Sequence, residues 1–428
     1  MSPAPASLIS SVSDGLRALL ETIRDFGRRE RISVALVGGA VRDLLLEEPV
    51  RDVDLVWEGA GDPGRVARLL GVALGSDVTY HPLFLTASLT VPSGVRVDFG
   101  RARAECYSTP AALPAVRPAS LDEDLSRRDF SINAMAIDLG RPAVLIDPGT
   151  GAADLRARLL RVLHSASFRD DPTRILRGCE LAVRRRLEFE PETASQAAAA
   201  IYSGFLMRLS GTRVRHELAR LFGAPSRAVA GAAALRALGA DRALHSEFRI
   251  EEAGISRLEM LAGWSWTRAT SETPFWVVAL SALMWHRPAA ARSAVATWLG
   301  LKRSQRRWLE SGPERLSPLL GSEGALDLTE ETMADQMLQL STAEAGFVHL
   351  LANPERAEAL EGARRLAEMN LRIGGADLLA AGAAPGPRVG EALAATLAAR
   401  RRGDLAADEE LAFALDWLRR KESGDAAP

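Results

Sequence analysis

The hydrophobic pattern of this chain changes once, near Gly151, and this change constrains the fold more than any other feature. Before it, short apolar runs such as 33–37 alternate with helical patterns and turn residues. After it, apolar residues recur at the spacing of helices to the end of the chain. The turn-rich stretch 311–331 indicates a joint between helical domains. We therefore predict an α/β head followed by an all-α remainder.

Composition excludes several classes of protein. Cys106 and Cys179 are the only cysteines, so there is neither a disulfide framework nor a four-cysteine zinc site. The formal net charge of −2 argues against a uniformly basic coat for nucleic acid but leaves room for a local basic groove. The start of the chain lacks the pattern of a secretory signal, and no apolar run reaches the roughly 20 residues that span a bilayer. We expect a cytoplasmic protein that does not enter a membrane.

Asp52 and Asp54 lie two residues apart in the predicted strand 50–59, so their side chains leave the same face of the strand. Neighbouring carboxylates repel each other unless a cation lies between them, and hard oxygen ligands favour Mg²⁺ or Mn²⁺. Asp98 supplies a third carboxylate if its own predicted strand lies alongside. The alternative is a pair of solvated aspartates at a strand end, which the apolar flanking residues disfavour.

A glycine pair and an arginine precede these aspartates. Gly38 and Gly39 let the backbone approach a ligand closely, and the helix that follows offers its N-terminal amides to an anion. Arg42, one turn into that helix, is placed to reach a phosphate. Anion receptors beside paired carboxylates predict a site for a metal-bound nucleoside triphosphate.

Three segments of the chain carry a resemblance to a known family. They are "LVGGAVRDLLLEEPVRDVDLV", "EDLSRRDFSINAMAID" and "IDPGTGAADLRARLLRVLHSASFRDDPTRILR", and "FLMRLSGTRVRHELARLF" and "IGGADLLAAGAAPGPRVGEALAATLAARRRGDL" follow them. In this order they resemble bacterial class II tRNA nucleotidyltransferases, which are the CCA-adding enzymes and their poly(A) polymerase relatives.

The resemblance implies an architecture for the whole chain. It implies an N-terminal helix (1–30), then an α/β nucleotidyltransferase head with a mixed sheet like that of polymerase beta (31–150). An all-α neck with the nucleotide-selecting helix (151–222), a helical body (223–365) and a helical tail (366–428) complete it.

The resemblance also assigns roles to residues of the head. Asp52 and Asp54 match the catalytic residues that bind two Mg²⁺ ions. Gly39 and Arg42 match contacts to the nucleotide phosphates, and Arg128, in "SRRDF", matches a further nucleotide contact.

Asp171, Arg174 and Arg177 match the family's helix that reads the incoming base. Asp171 and Arg174 are three residues apart and would share one helix face. A carboxylate accepts from an amino group and a guanidinium donates to ring acceptors, so this pair has the chemistry to read a base edge. The alternative is an ordinary ion pair within the helix, with Arg177 on the surface.

One position departs from the family pattern. The family repeats arginine every third residue along this helix, and Glu180 stands at the next position. The reversed charge puts a phosphate or base contact in doubt. The arginines at 184–186 either compensate for it or form a solvated or tRNA-facing cluster.

The segment 103–124 resembles the family's flexible loop near full length. Shortening of that loop is associated with members that add only the two cytidines, so we expect either a complete CCA-adding enzyme or one that adds the terminal A. We also expect Glu105 to bond an arginine of the reading helix.

The resemblance thus implies a template-independent tRNA nucleotidyltransferase that uses ATP with Mg²⁺, and CTP as well if it is a complete CCA-adding enzyme. Its partner is the tRNA acceptor arm, which the helical body is expected to grip by shape and backbone. The alternatives are a poly(A) polymerase, disfavoured by the mildly acidic chain and its tail motif, and an inactive RNA-binding protein, disfavoured by the intact aspartate pair. The sequence contains no His-Asp pair, so we expect no appended HD phosphohydrolase domain.

Overall fold

The strand pattern before Gly151 forms one mixed sheet in the computed structural model, which describes residues 12–141, 144–262, 273–321 and 328–423. The strands are β1 (Ser33–Val37), β2 (Asp52–Glu58), β3 (Val78–His81), β4 (Thr86–Thr90), β5 (Arg96–Arg101), β6 (Arg103–Cys106), β7 (Ala115–Pro118), β8 (Ala136–Asp138), β9 (Leu145–Ile146), β10 (Leu159–Leu160) and β11 (Glu188–Phe189). Seven of them form the sheet in the order β3-β4-β5-β2-β1-β8-β9. Strands β6 and β7 form a separate hairpin, and β10 pairs with β11.

Strands β2 and β5 are parallel neighbours, whereas the other adjacent pairs of the seven-stranded sheet are antiparallel. Their register sets Asp54 opposite Asp98. The expectation that the strand of Asp98 lies alongside the aspartate pair is therefore confirmed.

Side chains alternate between the two faces of the sheet along β2, and this alternation determines which face carries Asp52 and Asp54. Trp57 is fully buried and stacks on Phe99 of β5 at 6.2 Å between ring centroids, and Phe26 meets Phe99 edge-on at 6.4 Å. On the opposite side of β2, Val56 packs in a cluster of mostly small residues that includes Leu125. Since side chains alternate along a strand, Asp52 and Asp54 leave β2 on the side of Val56.

The rest of the first half is helical. Its helices are α1 (Asp14–Glu30), α2 (Gly39–Leu45), α3 (Pro63–Leu74), α4 (Leu121–Ser126), α5 (Gly151–Ala157), α6 (Ser167–Asp170), α7 (Thr173–Arg185), α8 (Pro191–Tyr202), α9 (Gly211–Leu221), α10 (Pro225–Ala237) and α11 (Ala240–Leu244). Helix α7 buries Ile175, Leu176 and Cys179 on one side, while Gly178 brings it against β11. A Cβ at Gly178 would lie 2.5 Å from the ring of Phe189, so this close packing requires glycine.

The described chain after Gly151 is helical apart from the two-residue strands β10 and β11, so the predicted change of period is confirmed but the neck is not all-α. Beyond Glu251 the chain continues as helices. They are α12 (Glu252–Ala262), α13 (Phe275–Leu283), α14 (Ala289–Trp298), α15 (Arg303–Glu310), α16 (Gly312–Leu320), α17 (Glu330–Leu338), α18 (Thr342–Leu351), α19 (Pro354–Ala367), α20 (Gly375–Ala380), α21 (Pro387–Arg402) and α22 (Glu410–Ser423). Every residue of α13 is buried, so this helix lies in the hydrophobic core that the neighbouring helices form. Among the helices of the described residues, none combines the length and the apolar character that a bilayer span requires.

The expectation of a turn-rich joint at 311–331 is wrong for its first part, because Gly312–Leu320 is a helix. Pro313 lies in its first turn, where the missing N–H costs nothing. Leu316 and Leu319 are fully buried, so apolar burial holds the helix although Pro318 lies within it. Residues 322–327 lie outside the described part of the chain.

Two compact units make up the chain. The first comprises the residues up to Glu251 together with Ala290–Leu301, and the second comprises Glu252–Ala289 and the residues from Lys302 onward. This division is coarser than the five predicted segments, whose boundaries stay a prediction.

Candidate active site

A polar cleft of about 970 Å³ opens in the first unit, lined by residues of β2, α2, α7, α9 and the segment 103–129. Nine of the ten predicted site residues line it: Gly38, Gly39, Arg42, Asp52, Asp54, Arg128, Asp171, Arg174 and Arg177. The arginines that line it are Arg42, Arg51, Arg103, Arg127, Arg128, Arg174, Arg177, Arg184, Arg185, Arg213, Arg220 and Arg227. The carboxylates are Asp43, Glu48, Asp52, Asp54, Glu105, Asp129, Asp171, Glu180 and Glu217. The excess of guanidinium groups suits a multiply charged anion.

The aspartate pair lies at the start of β2, with Asp52 exposed and Asp54 half-buried. Burial raises the pKa of Asp54; Arg128 opposes this, while the neighbouring charges of Asp98 and Asp52 add to it. The charges of Asp52 and Asp98 beside Asp54 create a negative site that a cation would neutralise.

Asp98 is the one predicted site residue that does not line the cleft. Its carboxylate accepts hydrogen bonds from Ser88 and Arg96 on the neighbouring strand positions. In the described parts of the chain, no three His, Cys, Asp or Glu side chains come together as a metal-binding group. A third ligand from Asp98 therefore stays a prediction.

Gly38 brings the anion-binding turn against the aspartates. Its φ of +69° is a left-handed conformation that side chains disfavour, and it directly precedes α2. A Cβ there would lie 3.0 Å from Arg128 Nη1 and 3.6 Å from Asp54 Oδ2. Glycine is thus what allows Arg128 to approach the carboxylate pair.

Arg128 is held in place by a buried carboxylate that sequence reasoning missed. Asp124 is fully buried and accepts from Arg128 Nη2 at 2.9 Å and from Arg127 Nη2 at 2.6 Å. Burial alone would raise the pKa of Asp124, but Arg128 and Arg127 together outweigh it and lower that pKa. The pair therefore remains charged, and Arg128 keeps a fixed position at the site.

Arg42 lines the cleft but is only 4% exposed. It donates to Asp43 Oδ1 through Nε at 2.9 Å and Nη2 at 2.7 Å, and to Asn133 Oδ1 through Nη1 at 2.5 Å. The same oxygen of Asp43 accepts from Arg185 Nη2 at 2.8 Å, so one carboxylate joins α2 to the end of α7. A phosphate contact from Arg42 stays a prediction, and Asp43 and Asn133 are the residues that orient its guanidinium.

Asp171 does not share a helix face with Arg174, as the spacing predicted. It lies in the turn between α6 and α7, because Pro172 follows it and the helix begins at Thr173. Asp171 Oδ1 accepts from Thr173 N at 3.0 Å and Thr173 Oγ1 at 2.6 Å, so the side chain closes the turn that leads into α7 instead. Both residues nevertheless line the same cleft.

Arg174 and Arg177 find their partners outside α7. Arg174 donates to Ser167 Oγ at 2.6 Å and to the backbone oxygen of Arg127 at 2.7 Å. Arg177 pairs with Asp129 at 2.9 Å, and this carboxylate raises the pKa of Arg177. The alternative of an ordinary ion pair within the helix is therefore wrong.

The segment 103–124 folds as the β6–β7 hairpin, and its link to α7 differs from the one expected. Glu105 accepts from Arg127 at 2.7 Å, Arg103 at 3.0 Å and Tyr107 at 2.7 Å, and not from an arginine of α7. Arg103 and Tyr107 are two residues away along the same hairpin, whereas Arg127 is the residue that follows α4. The expected Glu105 contact is thus wrong.

Arg213 of α9 makes a connection that no sequence pattern indicated. Its Nη1 donates to the backbone oxygen of Ala111 at 2.8 Å, and its Nη2 donates to Asp171 Oδ1 at 2.7 Å. One guanidinium therefore ties the tip of the hairpin to the acidic residue before α7.

Glu180 lines the cleft although it is 8% exposed. Its Oε1 lies 3.3 Å from Arg184 Nη1 and 3.3 Å from Arg227 Nη1 of α10. The departure from the family pattern is therefore a buried carboxylate with two arginine partners. Arg184 is the partner that the sequence offered, whereas Arg227 was missed because it comes from a distant helix.

The first unit matches known proteins over a substantial part of its length. The family model of the poly(A) polymerase head domain matches residues 34–161. An A-adding tRNA nucleotidyltransferase of Halalkalibacterium halodurans is 42% identical over 205 residues, which are 47% of this chain and 47% of that enzyme. A CC-adding tRNA nucleotidyltransferase of Deinococcus radiodurans is 41% identical over 184 residues, which are 42% of this chain and 48% of that enzyme. The chain thus spans about half the length of the curated relatives it matches.

A solved structure matches nearly the whole chain. The Thermotoga maritima CCA-adding enzyme in complex with tRNA is 26% identical, with a TM-score of 0.74 over 97% of this chain and 98% of that one. The likeness in fold therefore extends beyond residues 34–161 to the helical part of the chain.

Proposed function

We propose that the chain belongs to the class II tRNA nucleotidyltransferase and poly(A) polymerase family and adds 3′-terminal nucleotides to tRNA without a template, as the match to the poly(A) polymerase head domain and the similarity to A-adding and CC-adding enzymes support. The substrates are ATP and, for a complete CCA enzyme, CTP. The carrying observation is that the pair Asp52 and Asp54 opens into the same cleft as Asp171 and Arg174. One cleft thus joins the chemistry of phosphoryl transfer to groups that can distinguish bases.

The residues present fit a divalent ion. Mg²⁺ typically takes one or two protein carboxylates and completes its shell with water and substrate phosphates. Asp52 and Asp54 are such a pair; burial is the main cause that raises the pKa of Asp54, and the charges of Asp98 and Asp52, which a cation would offset, add to it. When bound there, Mg²⁺ supplies charge neutralisation at the triphosphate and a lowered pKa for the attacking hydroxyl.

The transfer step needs positioning more than covalent help from the protein. The 3′-oxygen of the tRNA forms a bond to the α-phosphorus of the nucleotide, and the bond from that phosphorus to the bridging oxygen breaks. Pyrophosphate leaves with the electron pair, and the hydroxyl proton passes to water. Arg128, fixed by Asp124, offsets phosphate charge beside the aspartates, and Gly38 leaves the space in which the phosphates lie.

Base reading falls to the start of α7. The donors from Thr173 and Arg213 all go to Asp171 Oδ1, so Oδ2 keeps its lone pairs for an exocyclic amino group, which adenine and cytosine share. Arg174 is held by Ser167 and can direct its remaining N–H groups at ring acceptors. Adenine and cytosine present the same kinds of group at different positions, so this pair serves both only if it is repositioned.

We further propose that the acceptor arm of tRNA is the partner and that the enzyme works in the cytoplasm. The likeness to a CCA-adding enzyme in complex with tRNA supports the first part. The curated relatives include both A-adding and CC-adding enzymes, so sequence identity to them does not determine which nucleotide this chain adds. The near full-length hairpin at 103–124 favours A addition.

The test measures pyrophosphate release with Mg²⁺, single nucleotides and tRNAs that lack CCA, end in CC or are complete. ATP use on the CC end supports the proposal, and CTP use on tRNA lacking CCA identifies a complete CCA enzyme. Processive ATP use on any RNA end would indicate a poly(A) polymerase. RNA binding without pyrophosphate release under all conditions would indicate an inactive RNA-binding protein.

A further inference from the structure

Glu180 raises a problem for the proposed function, because a carboxylate in a cleft that binds a triphosphate repels its ligand. It stands on α7 in the series Arg174, Arg177, Glu180, and all three residues line the cleft. Its surroundings resolve the problem. The carboxylate oxygen Oε1 lies 3.3 Å from a guanidinium nitrogen of Arg184 and 3.3 Å from one of Arg227.

The two partners reach Glu180 from different helices. Arg184 is one turn further along α7, and Arg227 lies in the first turn of α10. Their side chains keep 39% and 32% of their surface exposed, so each presents donors to the cleft while one nitrogen holds the carboxylate. Glu180 thus brings into the cleft a guanidinium from a second helix that α7 itself could not supply.

Arg185 completes what we call the arginine cluster, defined as Arg184, Arg185 and Arg227. Arg185 donates to Asp43, and its buried Nε has no hydrogen-bond partner among the described residues. Burial lowers the pKa of Arg184 and Arg185, and the nearby charges of Arg42 and Arg227 add to this lowering in both cases. The guanidinium groups are therefore close enough to repel one another, which favours a bound anion.

The position of the arginine cluster indicates which part of a nucleotide it meets. Arg174, expected to read the base, and Arg184 are ten positions apart on α7, which is about 15 Å along a helix. A nucleotide whose base edge lies at the start of α7 directs its phosphates away from that end. Arg42, on the helix that follows the glycine turn, lies near the arginine cluster.

We infer that Arg227 binds the β- and γ-phosphates of the incoming nucleotide, which leave as pyrophosphate, and that Glu180 is the residue that positions Arg227 and Arg184 for this contact. The inference rests on the proposed function. Position 180 of α7 holds a glutamate where the resemblance predicts an arginine, and the inference assigns the anion contact of that arginine to Arg227 of α10.

The test compares Arg227→Ala, Glu180→Gln and the charge swap E180R/R227E with wild type, with Arg242→Ala as the matched control. Arg242 is an exposed arginine of α11 outside the cleft. Steady-state incorporation gives KM and kcat for ATP and CTP. Calorimetry with inorganic pyrophosphate and Mg²⁺ gives affinity without any need for transfer, and thermal unfolding checks the fold.

Arg227→Ala should weaken pyrophosphate binding and raise KM by about tenfold, the scale of one hydrogen bond to a charged group. The rise should be equal for ATP and CTP, because the phosphates are common to both. Glu180→Gln should act in the same direction with kcat little changed, since it releases the arginines rather than removing them. The charge swap should recover most of the loss, because it restores one guanidinium and one carboxylate at the same contact. Arg242→Ala should match wild type.

Unchanged pyrophosphate affinity and KM in a folded Arg227→Ala protein would overturn the inference. So would a rise confined to the KM for tRNA, which would assign Arg227 to the primer instead. If Arg227→Ala does not fold, Arg227→Lys keeps the charge but loses the geometry, and wild-type pyrophosphate affinity there would count equally against it. A wild-type protein that binds pyrophosphate but transfers no nucleotide would refute the proposed function and leave the arginine cluster standing.

Discussion

Arg213→Ala is expected to impair nucleotide choice while leaving the chain folded. Arg213 contacts both the hairpin tip, at the backbone oxygen of Ala111, and the carboxylate of Asp171. Without Arg213, Thr173 is the one hydrogen-bond partner that the Asp171 carboxylate keeps among the described residues, and the hairpin loses this link to the base-reading residues.

The size of the effect follows from the contact itself. A hydrogen bond to a charged group contributes about 1.5–3 kcal/mol. The Arg213 and Asp171 side chains are 25% and 19% exposed, so screening by water places this bond at the lower end of that range. Since about 1.4 kcal/mol corresponds to a tenfold change in rate, kcat/KM for ATP on tRNA ending in CC should fall about tenfold.

The assay measures kcat/KM for ATP and CTP on tRNA ending in CC and reports both the loss and the ratio of the two. Arg213→Lys should give an intermediate loss, because an ammonium group reaches Asp171 or Ala111 but does not fork between them. Arg242→Ala serves as the control. Wild-type kcat/KM and an unchanged ATP to CTP ratio in folded Arg213→Ala protein would refute the reasoning, and an equal loss for both nucleotides would reduce Arg213 to a structural role.

Three further predictions follow from the cleft. Asp52→Ala or Asp54→Ala should abolish nucleotide transfer without lowering the melting temperature, because each removes a predicted metal ligand and relieves the repulsion between the two carboxylates. Substantial nucleotide incorporation by the folded double variant would contradict the two-aspartate mechanism. Deleting Thr109–Ala115 should lower the rate of A addition far more than the rate of any C addition, as measured on tRNA that ends in CC and on tRNA that lacks CCA. Equal losses of the two activities would mean that the hairpin only supports the fold. The pKa of Asp124 is lowered by its arginine partners, so its contribution to the free energy of unfolding is present above the unfolded pKa near 4 and is lost as pH falls through the lower folded value. Asp124→Asn should therefore lower the free energy of unfolding at pH 7 by about 3 kcal/mol, and chemical denaturation should show this difference shrinking toward pH 3; a difference independent of pH would contradict the assignment.

The sequence predicted those parts of the site that depend on local spacing. Asp52 and Asp54 share a face because strand side chains alternate, and the structure agrees. Gly38 adopts a positive φ where the glycine pair predicted a tight approach. In both cases the relevant neighbours lie within a few residues, so the pattern contains the information.

Prediction failed where the local signal was ambiguous. Asp171 and Arg174 are three positions apart, which fits a helix, but the helix begins only at Thr173, after Pro172, and Asp171 lies in the turn before it. Glu105 found Arg127 rather than an arginine of α7, because the partner nearest in the fold is not marked by charge alone.

The contacts that shape the rest of the cleft join distant parts of the chain. Arg213 meets Ala111 across 102 residues, and Arg227 meets Glu180 across 47. No periodicity in one sequence records such pairs, since they arise only when α9 and α10 pack beside α7. The sequence gives the positions of the arginines, but it does not indicate which of them line the cleft.

The shared oxygen of Asp43 has a consequence for how such chains diverge. It receives Arg42 from its own helix and Arg185 from 142 residues further along the chain, and Arg185 also pairs with Glu48, so four positions share one charge balance. Loss of the carboxylate leaves two crowded cations, and loss of either arginine leaves the other to hold it alone. Substitutions at these positions should therefore be inherited together, and the head and the end of α7 should drift in step although they are remote in sequence.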